Sequence, residues 1–487
     1  MNIVFVYSND YNFGIGILCA VLKAQGHTVS VVPSRYSWNE MELLAAGERY
    51  GGPARASRVR QALAADRAAV IRDVLDRKPE VIGFSATTDF YPWSLEVAQG
   101  LKSCADVFTI FGGAHPTFLP EKVITQEAVD AVCVGEAELA LPAFLMHMMK
   151  GLDGRPCANF WYKSGGSLVR GGLMPLIEDL DSLPFQDWQE MTQGMPRFRG
   201  SYGVITSRGC PFNCSYCGSS AFKRLYSGLG CYLRRRTPTS VMTEIRQAAT
   251  REPIKSVGFV DDVFTIDKKW LAEFLPLYHK ELGIPYRCLI HPEAVDEDTM
   301  KLLAETGCFA VKLGIQSVND HILRDIIHRH QSLEKIRQIA EWAHRYELEI
   351  VVDIILGFPD ETEKDVLDAL EYCASLRPAG VYQYYLKYYP GTDILRQVRE
   401  RGLITEADLA LIEDGMEETY LAMPRRFSAS QQKMYGPYGA LFHNVTMLSS
   451  KVVRIGRGLR LIRSLGWFLT WREHPWQNRN VDKLLSQ

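Results

Sequence analysis

The chain is predicted to be an α/β protein: an amino-terminal doubly wound (Rossmann-like) domain, then a partial (β/α)6 barrel, then a mostly helical carboxyl-terminal tail. Three observations predict this. Short apolar, β-branched runs alternate with helical stretches over residues 1–150. A second series of strand–helix units follows over 201–395, and the strand signals stop in the tail, 396–487. Repeated β–α units imply parallel sheets, and a length of 487 residues supports two or three domains, each with its own core.

In the first series IVFVY (3–7) is a strand and GIGILCAVLKAQG, from Gly14, a helix. HTVSVV (27–32) and VIGFS (81–85) are further strands, the latter after a charged helical segment around 57–77. SLEVAQGLK (94–102) leads into VFTIF (107–111), and DAVCVG (130–135) closes the series. Ligands of such sheets bind outside the carboxyl ends of the strands. Here those ends read Ser8-Asn9-Asp10, Ser85-Ala86-Thr87, Gly112-Gly113 and Gly135-Glu136. Each glycine alone serves a turn; together they make a polar, close-approach rim that names no ligand. Residues 151–200, with a hairpin in NFWYKSGGSLVR and the irregular DLDSLPFQDW, read as a connector lying against both domains.

The second domain opens with a strand, GVIT, running into SRGCPFNCSYC, which places Cys210, Cys214 and Cys217 within eight positions. Three thiols could serve zinc, a redox dithiol, an iron–sulfur cluster or plain packing. Structural zinc wants a fourth Cys or His close by, and Cys231 lies 14 positions on. A cubane held by three thiolates keeps one iron open to an outside ligand. The other eight cysteines (Cys19, Cys104, Cys133, Cys157, Cys231, Cys288, Cys308 and Cys373) read as small apolar residues. The chain's odd total of 11 cysteines, behind a start (MNIVFVYSND) that lacks a signal peptide, argues for a reducing cytoplasm rather than a disulfide framework. A net charge of −2 excludes the basic excess expected of a nucleic-acid binder, and no apolar run is long enough to span a bilayer.

C-x3-C-x2-C with Tyr216 before the last cysteine resembles the radical S-adenosylmethionine (SAM) superfamily. The likeness continues through RRRTPTSVMTEI (234–245), VGFVDDVFTID (257–267), CLIHPE (288–293), VKLGIQS (311–317), EIVVDIILGFPDET (349–362) and YYLKYYPGT (384–392). Upstream, NFGIGILCAVLKAQGHTVSVV, PEVIGFSATT, FGGAHPTFLPE and DAVCVGEAE resemble the B12-binding domain found ahead of radical SAM domains. The resemblance, over roughly 1–395, implies a 4Fe-4S cluster on Cys210, Cys214 and Cys217 as the catalytic and metal-binding residues. It implies SAM contacts from Tyr216, Asp261, Asp262, Gln316, Gly357 and Phe358, with both aspartates at the SAM ammonium. For cobalamin it implies Asn9, Asp10, Ser85, Thr87, Gly112, Gly113 and Gly135. The lower-ligand motif Asp-x-His-x-x-Gly is absent: SNDYNFG has Asp10 but no histidine.

The activity so implied is reductive cleavage of SAM to a 5′-deoxyadenosyl radical, with methylcobalamin delivering a methyl to an unactivated carbon of a small-molecule or lipid-like substrate. An external electron donor such as a flavodoxin or ferredoxin is implied, and nucleic acid is not. A radical cyclase, rearrangement or C–C bond-forming enzyme stays open, as does a cobalamin or redox sensor. A methylthiotransferase is disfavoured, because Cys19, Cys104 and Cys133 lack the spacing of a second cluster. In the tail, Lys451, Arg454, Arg457, Arg460 and Arg463 recur at intervals of three, ahead of Trp467, Trp471 and Trp476. Such a segment either caps the barrel or gives a cytoplasmic protein a peripheral, anionic-membrane contact.

Overall fold

Valine, isoleucine and phenylalanine of the first series form five parallel strands, in the order β2-β1-β3-β4-β5. They are β1 (Asn2–Tyr7), β2 (Thr28–Pro33), β3 (Val81–Ser85), β4 (Phe108–Gly112) and β5 (Ala131–Cys133). The structure is a computed structural model that describes residues 1–7, 12–37, 40–41, 44, 52–193, 195, 198–416, 423–424, 426–444, 450–458, 461–462 and 464–465. Alternation along β1 sends Ile3, Phe5 and Tyr7 to one face and Val4 and Val6 to the other. The first face packs on helices Phe13–Ala24 and Ala140–Met149, the second on Gly52–Leu75 and Tyr91–Cys104. The predicted hairpin forms, as β6 (Phe160–Ser164) and β7 (Ser167–Arg170). It extends the first sheet antiparallel from β5, so that sheet runs on to Arg170 within the segment read as connector.

The second sheet is wholly parallel, in the order β15-β14-β13-β12-β11-β8. Its members are β8 (Ser201–Val204), β11 (Ser256–Phe259), β12 (Tyr286–Ile290), β13 (Cys308–Gln316), β14 (Glu349–Leu356) and β15 (Gly380–Tyr385). A two-residue antiparallel pair, β9 (Ser207–Arg208) with β10 (Arg234–Arg235), sits at its mouth. Six parallel strands with helices outside give the partial barrel that the β–α spacing predicts. Five of those helices begin alike. Thr237, Asp267, Asp296, Ser332 and Thr362 each accept, through the side chain, a backbone N–H three residues on. Each such cap contributes about 1 kcal/mol and sets where the strand-to-helix loop ends.

Helix Ser450–Gly458 of the tail lies against helix Glu363–Leu376. Val453 is buried, Arg454 Nε meets Glu371 at 2.8 Å, and Arg457 Nη1 meets Asp368 at 2.5 Å. These two arginines of the basic row thus face acids of the barrel, which corrects the membrane-surface reading for them. Arg460, Arg463, Trp467, Trp471 and Trp476 lie outside the described residues. Among the described residues no helix is long and apolar enough to cross a membrane.

Candidate functional site

The cysteine loop leaves β9 and lines a cavity of about 170 Å3 at the carboxyl ends of the barrel strands. Cys210, Cys214, Tyr216, Cys217, Asp262 and Gln316 all face it, so six of the residues singled out from sequence converge. Burial pushes the Cys210 thiol up to about 12 and Cys217 to about 11, with Asp262 and the neighbouring cysteines adding to it. Among the described residues no three His, Cys, Asp or Glu side chains are gathered tightly enough for a single metal ion. A cubane differs, since each thiolate binds its own corner, so three thiols spread around one cavity suit a cluster better than zinc.

Gln316 has φ +68, the left-handed region, where β13 slips register against β14. The bulge re-aims its side chain inward and leaves its Oε1 buried without a hydrogen-bond partner among the described residues. A Cβ on Gly314 would stand 2.4 Å from Gln316 Nε2, so glycine is needed for the amide to fold back there. Asp353 Oδ1 is likewise buried and unpartnered among the described residues, while its Oδ2 lies 3.2 Å from Lys312 Nζ. Burial holds the Asp353 carboxyl above its usual range, against the pull of Lys312. His291 stacks on Phe212 with ring centroids 3.6 Å apart. Burial, helped by Arg329, lowers His291 to about 2, and its Nε2 has no partner among the described residues. Orphaned polar atoms on one cavity wall fit a polar ligand with donors and acceptors of its own.

Asp261, Gly357 and Phe358, three of the expected contact residues, are buried beside the cavity and do not line it. Asp261 is 1% exposed and turned away from the cavity; it accepts from Thr206 Oγ1 at 2.7 Å and Ser207 Oγ at 2.5 Å. It therefore ties down the strand that feeds the cysteine loop, and Asp262 alone of the pair reaches the cavity, where it accepts from Ser219 Oγ at 2.9 Å. Gly357 and Phe358 do not line the cavity. Gly357 N–H donates to Glu361 Oε2 at 2.6 Å, and buried Phe358 meets the Tyr216 ring edge-on at 6.2 Å. The sequence carried no signal for Arg329, Asp353 or Lys312, because each acts only once β12 to β14 stand side by side.

The second cavity, about 350 Å3, is an apolar slot between the first sheet and helices Phe13–Ala24 and Ala140–Met149. Ile3, Phe5, Val81, Gly83, Ile110 and Cys133 floor it, and Ser85, Gly112, Gly113 and Gly135 stand at its strand-end rim. Gly113, at φ +100, brings the chain so near β3 that a Cβ would sit 2.8 Å from Ala86 O. Asn12 both caps the first helix and donates to Ser85 Oγ at 3.0 Å. Thr87 is exposed and lies outside the slot's lining; Asn9 and Asp10 lie outside the described residues. A deep, dry slot beside close-approach glycines fits insertion of an extended ligand tail.

One stretch of chain links the two cavities: Arg208 lines the slot and Cys210 lines the thiol cavity. Arg208, two residues before Cys210, lines the slot and joins Glu136 (3.1 Å) and Glu138 (2.5 Å). Arg234 also meets Glu136, at 2.8 Å. Though burial works the other way, Arg234 and Arg208 hold the Glu136 carboxyl below its usual range. A second seam pairs Lys387 with Asp89, whose side chains are 2% and 7% exposed. Tyr389 OH donates to the same Asp89, at 3.1 Å.

A profile of the B12 binding domain matches residues 6–145, and one of the Radical SAM superfamily matches 204–373. The uncharacterized methyltransferase PH0819 of Pyrococcus horikoshii is 30% identical over 322 residues, 64% of this chain and 68% of that protein. The cytidylyl-2-hydroxyethylphosphonate methyltransferase of Streptomyces wedmorensis is 22% identical over 443 residues, 81% of this chain and 79% of its own. In fold, the chain resembles the radical SAM methyltransferase TsrM from Kitasatospora setae, solved with cobalamin and a [4Fe-4S] cluster bound. The TM-score is 0.63 at 16% identity, over 82% of this chain and 75% of that one.

Proposed function

The chain belongs to the radical SAM enzymes that carry a B12-binding domain, and from that premise we propose that it methylates an unactivated carbon of a small-molecule substrate. The observation that carries this reading is how near the two cavities stand along the chain: Arg208 lines the apolar slot, and Cys210, two residues on, lines the thiol cavity. In this reading Cys210, Cys214 and Cys217 hold a 4Fe-4S cluster, and Asp262 and Gln316 meet SAM in the same cavity. Ser85, Gly112, Gly113 and Gly135 admit the nucleotide tail of cobalamin. When bound, the cluster and SAM supply a hydrogen-abstracting radical and cobalamin supplies the methyl group, at the cost of electrons from an external donor.

The chain's own residues position and insulate. The raised thiols of Cys210 and Cys217 stay protonated until metal displaces the proton. Asp262 offers a carboxylate to an ammonium, and Gln316 Oε1 an acceptor to a hydroxyl. Neutral His291 on Phe212 closes one wall without adding charge. The barrel wall beside them carries the Lys312–Asp353 pair, with Tyr384 OH 3.4 Å from Lys312 Nζ. That polarity favours a polar small molecule over a lipid-like one. To test the function, the full chain is reconstituted anaerobically with iron, sulfide and cobalamin, then given reductant and methyl-labelled SAM. Label on the corrin, together with 5′-deoxyadenosine and S-adenosylhomocysteine, is expected. 5′-Deoxyadenosine with no S-adenosylhomocysteine would favour cyclisation or rearrangement, and neither product would favour a sensor.

A further inference from the structure

Both ends of the cysteine loop are tied to one residue of the slot rim. Upstream, Arg208 stands two residues before Cys210 and donates through Nη1 to Glu136 Oε1 at 3.1 Å. Downstream, Cys217 caps the start of helix Gly218–Leu225, and Tyr226 closes that helix. The Tyr226 hydroxyl accepts the backbone N–H of Glu136 at 2.7 Å. Side chain and backbone of Glu136 thus hold the two flanks of one loop.

The strut is braced on a third side. Arg234 stands opposite Arg208 in the β9–β10 pair and forks onto both Glu136 oxygens, Nη2 to Oε1 at 2.8 Å and Nη1 to Oε2 at 3.0 Å. A fork fixes direction as well as distance. The same Nη1 donates to Ile177 O at 2.8 Å, and Asn159 Nδ2 donates to Glu136 O at 2.8 Å. Glu138 accepts from Arg208 Nη2 at 2.5 Å, so two carboxylates face two guanidinium groups and their charges cancel. Removing any one member would strand a charge inside the protein. Gly135 completes the arrangement. At φ +82, a Cβ there would stand 1.9 Å from the Tyr226 hydroxyl, so glycine lets the rim close on the helix.

We propose that Glu136 is a positioning residue that sets the spacing between a corrin in the slot and the cluster on the cysteine loop. Glu136 lines the slot, whereas Arg234 and Tyr226 line neither cavity. The strut therefore joins the two sites through residues that need touch neither cofactor. Misplacing reacting groups by about 1 Å costs about 100-fold in rate, so a methyl donor and a radical source on separate domains call for such a strut. The proposal rests on the reading that the slot takes cobalamin and the three cysteines take the cluster.

The test is EPR of the anaerobically reconstituted full chain, with cob(II)alamin and the reduced cluster both paramagnetic, because their spin–spin broadening reports the spacing. Cobalamin content, iron content and melting temperature are measured on the same samples, together with the rate at which methyl-labelled SAM labels the corrin. Tyr226→Phe removes the downstream acceptor, and Arg234→Lys keeps the charge but loses the fork. Each is expected to hold both cofactors, to change the broadening, and to label the corrin about 10- to 100-fold more slowly. Combining either with Glu136→Gln is expected to add less than the sum of the two effects, since all act through one residue. If Arg234→Lys takes up only one cofactor, Tyr226→Phe decides alone. Wild-type broadening and labelling rate in variants that hold both cofactors, whatever their melting temperature, would overturn the proposal. A wild-type chain that takes up no cobalamin or no cluster would defeat the underlying reading instead.

Discussion

Gly112 offers a direct test of the apolar slot. It lines the rim without a positive φ, and a Cβ added there would meet only Cys133 Cβ within 4 Å among side chains, at an ordinary 3.7 Å. Its neighbour Gly113 allows no such change, because a Cβ at φ +100 would collide with the Ala86 backbone. Gly112→Leu therefore adds four carbons to empty apolar space while leaving the strand intact. Squeezing a ligand tail past them costs at least the usual penalty of overpacking, about 1–3 kcal/mol. At 1.4 kcal/mol per decade that weakens cobalamin binding about 5- to 140-fold, and outright exclusion weakens it further. Equilibrium dialysis of anaerobically reconstituted protein, read by corrin absorbance, measures the loss; iron content and melting temperature serve as controls. Undiminished cobalamin uptake by a folded Gly112→Leu chain would refute the slot.

The buried seam predicts that Lys387→Met, which strips Asp89 of its cation, costs about 3–5 kcal/mol in chemical denaturation, and that adding Asp89→Asn restores part of it. Asp262→Asn is expected to weaken SAM binding at unchanged iron content, whereas Asp261→Ala, by freeing Thr206 and Ser207, should lower iron content first; equilibrium SAM binding and iron assay separate the two. Glu361 sets a pH dependence. Burial raises its carboxyl to about 7, against hydrogen bonds from Gly357 N–H and Tyr435 OH. Its folded value lies above the ordinary 4.5, so its stabilising share is complete below that pH and is lost as pH rises through about 7. Unfolding free energy should therefore fall by about 3 kcal/mol between pH 4.5 and 8, and Glu361→Gln, which keeps the acceptor, should flatten that slope. An unchanged slope in the variant would assign the effect to another group.

Sequence alone determined what rests on local pattern. Strands β1 to β5 and the barrel strands, three to nine residues long, were legible because short apolar, β-branched runs between helical stretches can be read without knowing their partners. The cysteine triplet was legible because all three thiols sit on one loop, and Gly113 and Gly135 because a left-handed backbone in close approach to its neighbours calls for glycine. Tertiary structure alone decided what depends on residues far apart in the chain. Asp261 and Asp262 are adjacent, and only the neighbouring strands turn one onto Thr206 and the other into the cavity. Gly357 and Phe358 share a motif with the site, yet packing against Glu361 and Tyr216 takes them out of it. Arg329, 115 residues from Cys214, carries no motif; only the closed barrel buries its guanidinium and brings it to 3.6 Å from that sulfur.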